Sequence, residues 1–495
     1  MSTEPIAEID SGKVRGLALP NGVTAFHAIP YTAPPLGFLR FAAPRSVQPW
    51  SGVLDCTQRG PSPPQGPSRL DAVMGIAPFA QSEDCLTVTV WTPAADNRKR
   101  PVFYWLHGGA YQSGGATQVF YDGANLARAG DMVVVGVNYR IGALGYLLLP
   151  QAERAGATPS NRGLLDQMQA LRWVAANIAA FGGDPTNITI AGQSAGGGSV
   201  LALLADPASR GLVARAIPQS PSTGHLTLER ALAISHRFHA VAGVKQDDMD
   251  ALRALPVEQI VSAQRTVQLE IASTGDRTIA YQFIAPGPHC PNNPASAVIS
   301  GAAADIPLLI GTTRDEGHAW LAQDDTLLAE TSMEAIRKAA ETGGFAKAAA
   351  DLPANHKPAG AKPWEVLSAM LTWAVFEKPS RKVADGHVRN AGKAWVYRFD
   401  WRPTPDARFG ACHCIELPFL FDNLDGWPNA AMMGGHDPAA YKRVAAMTQA
   451  AWIAFARHGD PSTPALPAWP SWDAQERACM RLDDTAHVVE EAALG

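Results

Sequence analysis

The chain has 495 residues, of which 46% are hydrophobic and 18% charged. This composition predicts a folded protein with a large buried core and excludes disordered and fibrous classes. The formal net charge of −5 arises without a long run of one sign, which argues against a nucleic-acid-binding protein or a polybasic membrane surface.

Targeting signals and metal-binding patterns are missing from the sequence. The first residues lack a basic segment followed by an apolar one, and no run of about 18 uncharged apolar residues occurs. The six cysteines match no zinc-ribbon spacing, and Cys412-His413-Cys414 offers adjacent ligands without a second pair. We therefore expect a cytoplasmic protein without metal or cofactor and without a membrane or nucleic-acid partner.

Short apolar runs predict the strands of a mostly parallel sheet. They are rich in β-branched and aromatic residues, which is typical of strands buried on both faces. The runs span residues 102–106, 132–137, 188–191, 306–310 and 395–399. A helical pattern over 164–180 lies between the second run and the third, so strands alternate with helices and the predicted fold class is α/β.

A loop of small residues follows the first predicted strand. It reads His107-Gly108-Gly109-Ala110-Tyr111. Small side chains let backbone N–H groups approach a bound carbonyl oxygen, which is the geometry of an oxyanion hole. We expect Gly109 and Ala110 to supply such donors, and we expect His107 to hold the loop by hydrogen bonds instead of taking part in the chemistry.

The predicted strand at 188–191 leads directly into a G-x-S-x-G motif. The motif reads Gly192-Gln193-Ser194-Ala195-Gly196, and an apolar helical run follows it. A serine on a sharp turn between strand and helix is the nucleophile of many hydrolases. The helix N-terminus also places the Ala195 N–H beside a developing oxyanion. The sequence therefore predicts a serine hydrolase with Ser194 as nucleophile.

Two Ala-rich regions, about 228–294 and about 333–389, have helical character without clear strands. No linker and no internal repeat divides the chain. We expect one domain over residues 1–495, in which these helical insertions cover the upper edge of the sheet and form the walls of a substrate gorge.

With these motifs the sequence resembles the type-B carboxylesterases of the carboxylesterase and cholinesterase superfamily. The resemblance spans nearly the whole chain. The segments that carry it are Phe26-His27-Ala28-Ile29-Pro30-Tyr31, Pro34-Pro35-Leu36-Gly37, Leu39-Arg40-Phe41, Glu83-Asp84-Cys85-Leu86-Thr87-Val88-Thr89-Val90-Trp91, Phe181-Gly182-Gly183-Asp184-Pro185, Trp452-Ile453-Ala454-Phe455, Gly459-Asp460-Pro461 and Trp469-Pro470.

The resemblance implies the α/β-hydrolase fold and the remaining catalytic residues. Residues 311–317 are similar to the family's acid loop and point to Glu316, not to the neighbouring Asp315. Residues 410–419 are similar to its histidine loop and imply His413 as the base. The order Ser, Glu, His agrees with that of α/β-hydrolases. Ser220 resembles a serine that supports the acid.

The resemblance also implies structural pairs. Arg40 and Glu83 resemble an ion pair, and Cys56 and Cys85 resemble the ends of a disulfide loop. Because a reducing cytosol would leave both cysteines as thiols, two buried free cysteines are an equal alternative.

Departures from the family pattern limit the predicted substrate. Ala110 replaces a glycine and Pro221 replaces another, and residues 57–84 contain no tryptophan to form an aromatic cage for a quaternary ammonium group. We therefore expect a serine carboxylesterase for a small-molecule ester that is not a choline ester, as a monomer or weak homo-oligomer. The acyl and alcohol groups stay open.

Two other functions are compatible with parts of this sequence. An aryl-carbamate or amide hydrolase would use the same triad on a different bond. A non-catalytic adhesion or binding domain is disfavoured because all three triad positions are filled.

A catalytic histidine makes activity depend on pH. The base must be neutral to accept a proton, so we expect ester hydrolysis to decline at acidic pH around the ordinary histidine pKa of about 6.5. Initial rates measured across a pH series test this, and a flat rate between about pH 5 and 8 would contradict it.

Overall fold

The computed structural model describes residues 5–151, 158–246, 248–287, 290–334, 336, 352, 360–473 and 475–491. Its strands are β1 (Ile6–Ile9), β2 (Gly12–Arg15), β3 (Leu17–Ala18), β4 (Thr24–Pro30), β5 (Val53–Asp55), β6 (Thr87–Thr92), β7 (Arg100–Leu106), β8 (Val133–Val137), β9 (Gly183–Gln193), β10 (Arg215–Gln219), β11 (Leu308–Thr313), β12 (Ala394–Phe399), β13 (Ala478–Leu482) and β14 (His487–Glu490).

Helices connect these strands. The α-helices of the described residues are α1 (Asp71–Met74), α2 (Ala124–Gly130), α3 (Gly142–Tyr146), α4 (Arg162–Asn177), α5 (Ala195–Ala205), α6 (Leu228–Ala242), α7 (Met249–Ala254), α8 (Val257–Ser273), α9 (Pro294–Ile299), α10 (His318–Leu321), α11 (Asp325–Glu330), α12 (Pro363–Leu371), α13 (Lys378–Arg389), α14 (Leu417–Phe421) and α15 (Pro438–His458). A π-helix, Thr372–Glu377, joins α12 to α13.

An eleven-stranded sheet lies at the centre, in the order β14-β13-β12-β11-β10-β9-β7-β8-β6-β4-β3. The seven strands from β13 to β8 are all paired in parallel, whereas β14 at one side and β6, β4 and β3 at the other are antiparallel. A separate small sheet has the order β1-β2-β5. The predicted α/β-hydrolase fold with a mostly parallel central sheet is confirmed.

The five predicted strands are confirmed as β7, β8, β9, β11 and β12, with shifted boundaries. Every residue of β7 and β8 is buried, because helices cover both faces of the parallel sheet. That double burial produces the continuous apolar runs in the sequence. β10 escaped prediction because it carries Arg215 and Pro218, which interrupt an apolar pattern.

The two predicted helical regions differ in how far they are described. The region 228–294 contains α6, α7 and α8 and ends at the start of α9. The region 333–389 lies partly outside the described residues, and its described part contains α12, the π-helix and α13. None of the described helices is both long and apolar enough to cross a membrane.

A buried ion pair ties helix α4 to the loop after β8. Arg140 donates from its backbone N and from Nε to Asp166 Oδ2 at 3.0 and 2.8 Å, and from Nη2 to Oδ1 at 2.6 Å. Its Nη1 donates to the Ala42 carbonyl at 2.7 Å. The N–H groups of this guanidinium therefore form most of their hydrogen bonds with buried acceptors.

Of the two residue pairs that the family resemblance implies, the structure contains one. The Arg40–Glu83 ion pair is confirmed, with two bonds of 2.7 and 2.5 Å between guanidinium and carboxylate. Cys56 and Cys85 are buried free thiols, so the disulfide alternative is not realised.

Replacing Asp166 tests the buried ion pair. The variant Asp166→Ala leaves the Arg140 guanidinium buried without its carboxylate, and we expect it to lose about 3 to 5 kcal/mol of unfolding free energy. Urea titration of the wild type and the variant measures this. Glu270→Ala, which breaks the exposed Arg237–Glu270 pair, is the control and should leave the midpoint nearly unchanged. Equal loss in both variants would contradict the interpretation.

Candidate active site

Ser194 lies on the sharp turn between β9 and α5. Its backbone has φ 59° and ψ −118°, a conformation that residues other than glycine rarely adopt. Two backbone hydrogen bonds hold the turn, from Ser194 N to Gln219 O at 2.9 Å and from Ser222 N to Ser194 O at 3.0 Å. The strain is thus maintained by the neighbouring strand β10 and the loop that follows it.

The glycines of the motif are required by close backbone contacts. A Cβ on Gly196 would lie 2.0 Å from the Leu106 carbonyl oxygen, and a Cβ on Gly192 would lie 2.6 Å from the Gly196 backbone. The start of α5 therefore packs directly against the end of β7, which no larger residue allows.

The loop after β7 runs beside this turn. A Cβ on Gly108 would lie 3.3 Å from the Ser194 Cβ. Among the described residues, the N–H groups of Gly109 and Ala110 donate to no protein acceptor. Ala195 is the first residue of α5, so its N–H has no acceptor within the helix either. Three backbone donors, on the loop that begins beside Ser194 and at the start of α5, are therefore without a backbone acceptor among the described residues.

His107 has the contacts of a structural residue. Its ring stacks on Tyr139 with centroids 4.3 Å apart, and its Nδ1 lies 2.8 Å from the Gly108 carbonyl oxygen. Burial lowers its pKa to about 4, so the ring stays neutral.

Glu316 and His413 are joined by a hydrogen bond between Oε2 and Nδ1. Both side chains are almost fully buried. Glu316 Oε1 also accepts hydrogen bonds from Ser220 Oγ at 2.5 Å and from Thr313 N at 2.8 Å. Because all three partners donate, Glu316 acts as an acceptor-only carboxylate and fixes the imidazole with its proton on Nδ1.

Asp315, the neighbouring acid, connects the two loops instead. Its backbone N donates to the Ala411 carbonyl at 2.9 Å, and its Oδ2 accepts from the Ala411 N at 2.9 Å. Burial would raise the pKa of Asp315, but the adjacent Arg314 guanidinium outweighs burial and lowers it to about 2. Asp315 therefore holds the histidine loop to the acid loop.

The second nitrogen of His413 faces Gln193, the residue before Ser194. Gln193 Nε2 lies 3.1 Å from His413 Nε2, and Cys414 Sγ donates to Gln193 Oε1 at 3.5 Å. The amide thus donates to an unprotonated Nε2. Among the hydrogen bonds of the described residues, His413 Nε2 is contacted by the Gln193 amide and not by the Ser194 hydroxyl. Sequence reasoning missed Gln193, although it lies within the motif.

Two aromatic rings form a wall over the imidazole. The Trp320 and Phe376 ring centroids lie 4.9 and 4.8 Å from that of His413. The two rings are almost parallel to each other, at an interplanar angle of 4°. Phe376 belongs to the π-helix, a conformation often found at functional sites. No sequence pattern indicated these two residues.

The comparisons with known proteins agree with this arrangement. A sequence model of the carboxylesterase family matches residues 3–493. The chain is 39% identical to the para-nitrobenzyl esterase of Bacillus subtilis, covering 93% of this chain and 91% of that protein. It is 37% identical to the phenmedipham hydrolase of Pseudarthrobacter oxydans, covering 100% and 98%.

A solved structure supports the same assignment. The carboxylesterase of Geobacillus stearothermophilus superposes with a TM-score of 0.84 at 34% identity, covering 98% of each chain. The chain therefore belongs to the carboxylesterase family and is a serine carboxylesterase with the α/β-hydrolase fold.

Proposed function

We propose that Ser194, His413 and Glu316 form the catalytic triad and that the enzyme hydrolyses small, largely apolar carboxylic esters through an acyl-enzyme intermediate. The observation that carries this proposal is the hydrogen bond between His413 and Glu316 directly beside the strained turn of Ser194. A carboxylate that fixes the Nδ1 proton leaves Nε2 unprotonated and able to act as general base once the Gln193 amide gives up its contact with that nitrogen.

The reaction has two halves. In the first, Ser194 Oγ attacks the ester carbonyl carbon while His413 Nε2 takes the hydroxyl proton. The tetrahedral intermediate then collapses, and the alcohol leaves with that proton. In the second half, His413 takes a proton from water, the hydroxide attacks the acyl-enzyme, and Ser194 recovers its proton as the carboxylic acid leaves.

The backbone donors of Gly109, Ala110 and Ala195 form the proposed oxyanion hole. These groups have no protein acceptor among the described residues, Ala195 follows Ser194 directly, and Gly109 and Ala110 follow Gly108, which packs against Ser194, so we expect them to suit the negative oxygen of the tetrahedral intermediate. Loss of one such donor typically lowers turnover by roughly 10² to 10³-fold. Ser220 supports the acid by its hydrogen bond to Glu316.

The proposed substrate class follows from the walls of the site. Trp320 and Phe376 present aromatic surface within 5 Å of the His413 ring centroid. Apolar and aromatic groups of an ester gain free energy by packing there.

A second candidate is the hydrolysis of aryl carbamates or amides by the same triad. The observation that favours it is the relative named phenmedipham hydrolase, which matches the whole chain. The chemistry differs only in the leaving group and in the reactivity of the carbonyl carbon.

The cellular setting belongs to the proposal as well. We infer a cytoplasmic enzyme that acts as a monomer or weak homo-oligomer and binds no nucleic acid. The free thiols of Cys56 and Cys85 suit a reducing compartment. The modest net charge of −5 lacks the basic footprint of nucleic-acid binding.

Three variants test the triad. Ser194→Ala removes the nucleophile, and we expect kcat for a p-nitrophenyl ester to fall by roughly 10⁶-fold. Glu316→Gln removes the carboxylate that fixes the tautomer and should lower kcat by about 10⁴-fold with little change in KM. An organophosphate should label Ser194 in the wild type and leave Ser194→Ala unlabelled. A wild-type protein that takes up no label would overturn the proposal.

Asp315→Asn is the matched control for Glu316→Gln, since the two acids are adjacent in sequence and both buried. Because Asp315 joins two loops and makes no bond to His413, its loss should lower the unfolding midpoint more than it lowers kcat. A larger loss of kcat in Asp315→Asn than in Glu316→Gln would reverse the assignment of the acid.

A substrate series separates the two candidate functions. We expect an aryl ester to be hydrolysed with a higher kcat/KM than its carbamate and amide analogues or phenmedipham, because the carbonyl of an ester is the most electrophilic. Progress curves on the wild-type enzyme give these values, with Ser194→Ala as the blank. A higher kcat/KM for phenmedipham or the aryl carbamate would favour the second candidate.

A further inference from the structure

A second buried carboxyl lies next to the proposed triad and has no role in the chemistry above. Glu416 follows His413 by three residues and is 1% exposed. Its Oε1 accepts a single hydrogen bond, from Gln219 Nε2 at 3.3 Å. Its Oε2 has no hydrogen-bond partner among the described residues. A buried carboxylate with so little compensation is strongly disfavoured relative to the neutral acid.

The one donor to Glu416 is fixed in place by a tryptophan. Trp452 Nε1 donates to Gln219 Oε1 at 3.0 Å, which turns the amide nitrogen of Gln219 toward Glu416. Within the described ranges, no lysine or arginine forms an ion pair with Glu416. The surroundings therefore supply one long, neutral hydrogen bond and no positive side chain that is permanently charged.

The nearby carboxyl of Glu316 has the opposite surroundings, with several hydrogen-bond donors. It accepts hydrogen bonds from Ser220, Thr313 and His413, so it has the partners of an ionised carboxylate. A second negative charge beside it would be repelled. The titratable groups that face Glu416 are Glu316, His413, Cys412, Cys414, Tyr121 and Tyr397.

The electrostatics point the same way as the contacts. Burial, and then the charge of Glu316, raise the pKa of Glu416 to about 7, while His413 and the hydrogen bond from Gln219 act in the opposite direction.

We propose that Glu416 is a positioning residue that its surroundings keep neutral at pH values where an exposed glutamate is already ionised, so that His413 is there paired with one carboxylate and not with two. This inference rests on the proposed function of His413 as the general base. A second carboxylate would stabilise the imidazolium and hold the base in its protonated, inactive form. A neutral acid of the same shape fills the space behind the histidine loop without that effect.

The pH–rate profile of Glu416→Gln tests the proposal, because glutamine keeps the shape and fixes the neutral state. At pH values below the Glu416 transition, where both proteins carry a neutral side chain at this position, we expect kcat of the variant to stay within about threefold of the wild type measured at the same pH, and the acid limb of kcat/KM to keep its midpoint. The wild type should show a further inflection in kcat at about pH 7 as Glu416 ionises, and the variant should lack it.

Stability gives a second readout that does not depend on catalysis. The pKa of this carboxyl is 4.5 in the unfolded chain and about 7 in the folded one. Between these values the folded state binds more protons, so the wild type loses stability as pH rises through the window, and the loss is complete above it. We expect Glu416→Gln to melt several degrees above the wild type at about pH 8.5 and at the same temperature near about pH 4.5.

The control is Glu377→Gln, which removes another buried carboxylate. Glu377 is paired with Arg381, so this variant should melt below the wild type at about pH 8.5. Infrared difference spectra provide a direct check on folded protein, since the carbonyl band of a protonated carboxylic acid should be present in the wild type at about pH 6 and missing in Glu416→Gln.

Several outcomes would overturn the proposal. They are an acid limb that moves to lower pH in Glu416→Gln, a lower melting temperature of this variant at alkaline pH, and a wild-type inflection that the variant retains. If Ser194→Ala kept its activity, the proposed triad would fail. The melting and infrared results would still decide the protonation of Glu416.

Discussion

The hydrogen bond between His413 Nδ1 and Glu316 Oε2 is the interaction on which the rest of the site depends. Its two partners lie in loops that follow β11 and β12, and these strands pair in unbroken parallel register from Leu308 opposite Ala394 to Thr313 opposite Phe399. Parallel pairing brings the carboxyl ends of both strands to one edge of the sheet. Two hydrogen bonds between Asp315 and Ala411, one through the Asp315 backbone and one through its carboxylate, then hold the loops together, so the register of the sheet sets the position of the imidazole.

The position of Ser194 also depends on this edge of the sheet, but through backbone strain and close packing. Its positive φ costs of order 1 to 3 kcal/mol in backbone strain, which only a well-packed surrounding can sustain. The close contact of Gly196 with the Leu106 carbonyl provides that packing, since it presses the start of α5 onto β7. The loop that follows Leu106 then passes close to Ser194, since a Cβ on Gly108 would lie 3.3 Å from the Ser194 Cβ. The strained backbone of Ser194 and the packing of α5 on β7 therefore depend on each other.

Much of this arrangement could be predicted from the sequence, for reasons that differ from residue to residue. The parallel strands were visible because burial on both faces leaves continuous apolar runs. Ser194 was visible because its turn requires glycines at fixed spacing. Neither reason applies to Glu316 and His413, which come from long-range strand pairing and were found only through family resemblance. Among 13 histidines, composition and spacing alone would not have selected one.

The side chains that surround His413 could not be predicted from the sequence. Their roles depend on where each side chain points in the folded protein and not on its residue type. Gln193 was inside a recognised motif, yet only the fold shows that its amide reaches the imidazole. Phe376 and Trp320 lie on separate helical segments, 56 positions apart, and their stacking arises from the tertiary fold, with Phe376 in a π-helix. Glu416 reads as an ordinary acid in the sequence, and its unusual environment arises from a glutamine and a tryptophan on other elements.

The long crossover between β11 and β12 can vary without changing how the two strands pair. Thr313 and Ala394 mark the ends of two strands whose pairing does not involve the segment between them. That segment carries both aromatic rings of the wall over the imidazole. Changes in the crossover beyond Glu316 can therefore alter the aromatic surface beside the imidazole while the register of the two strands stays the same. Substrate preference can then vary through this connection without a change in the sheet.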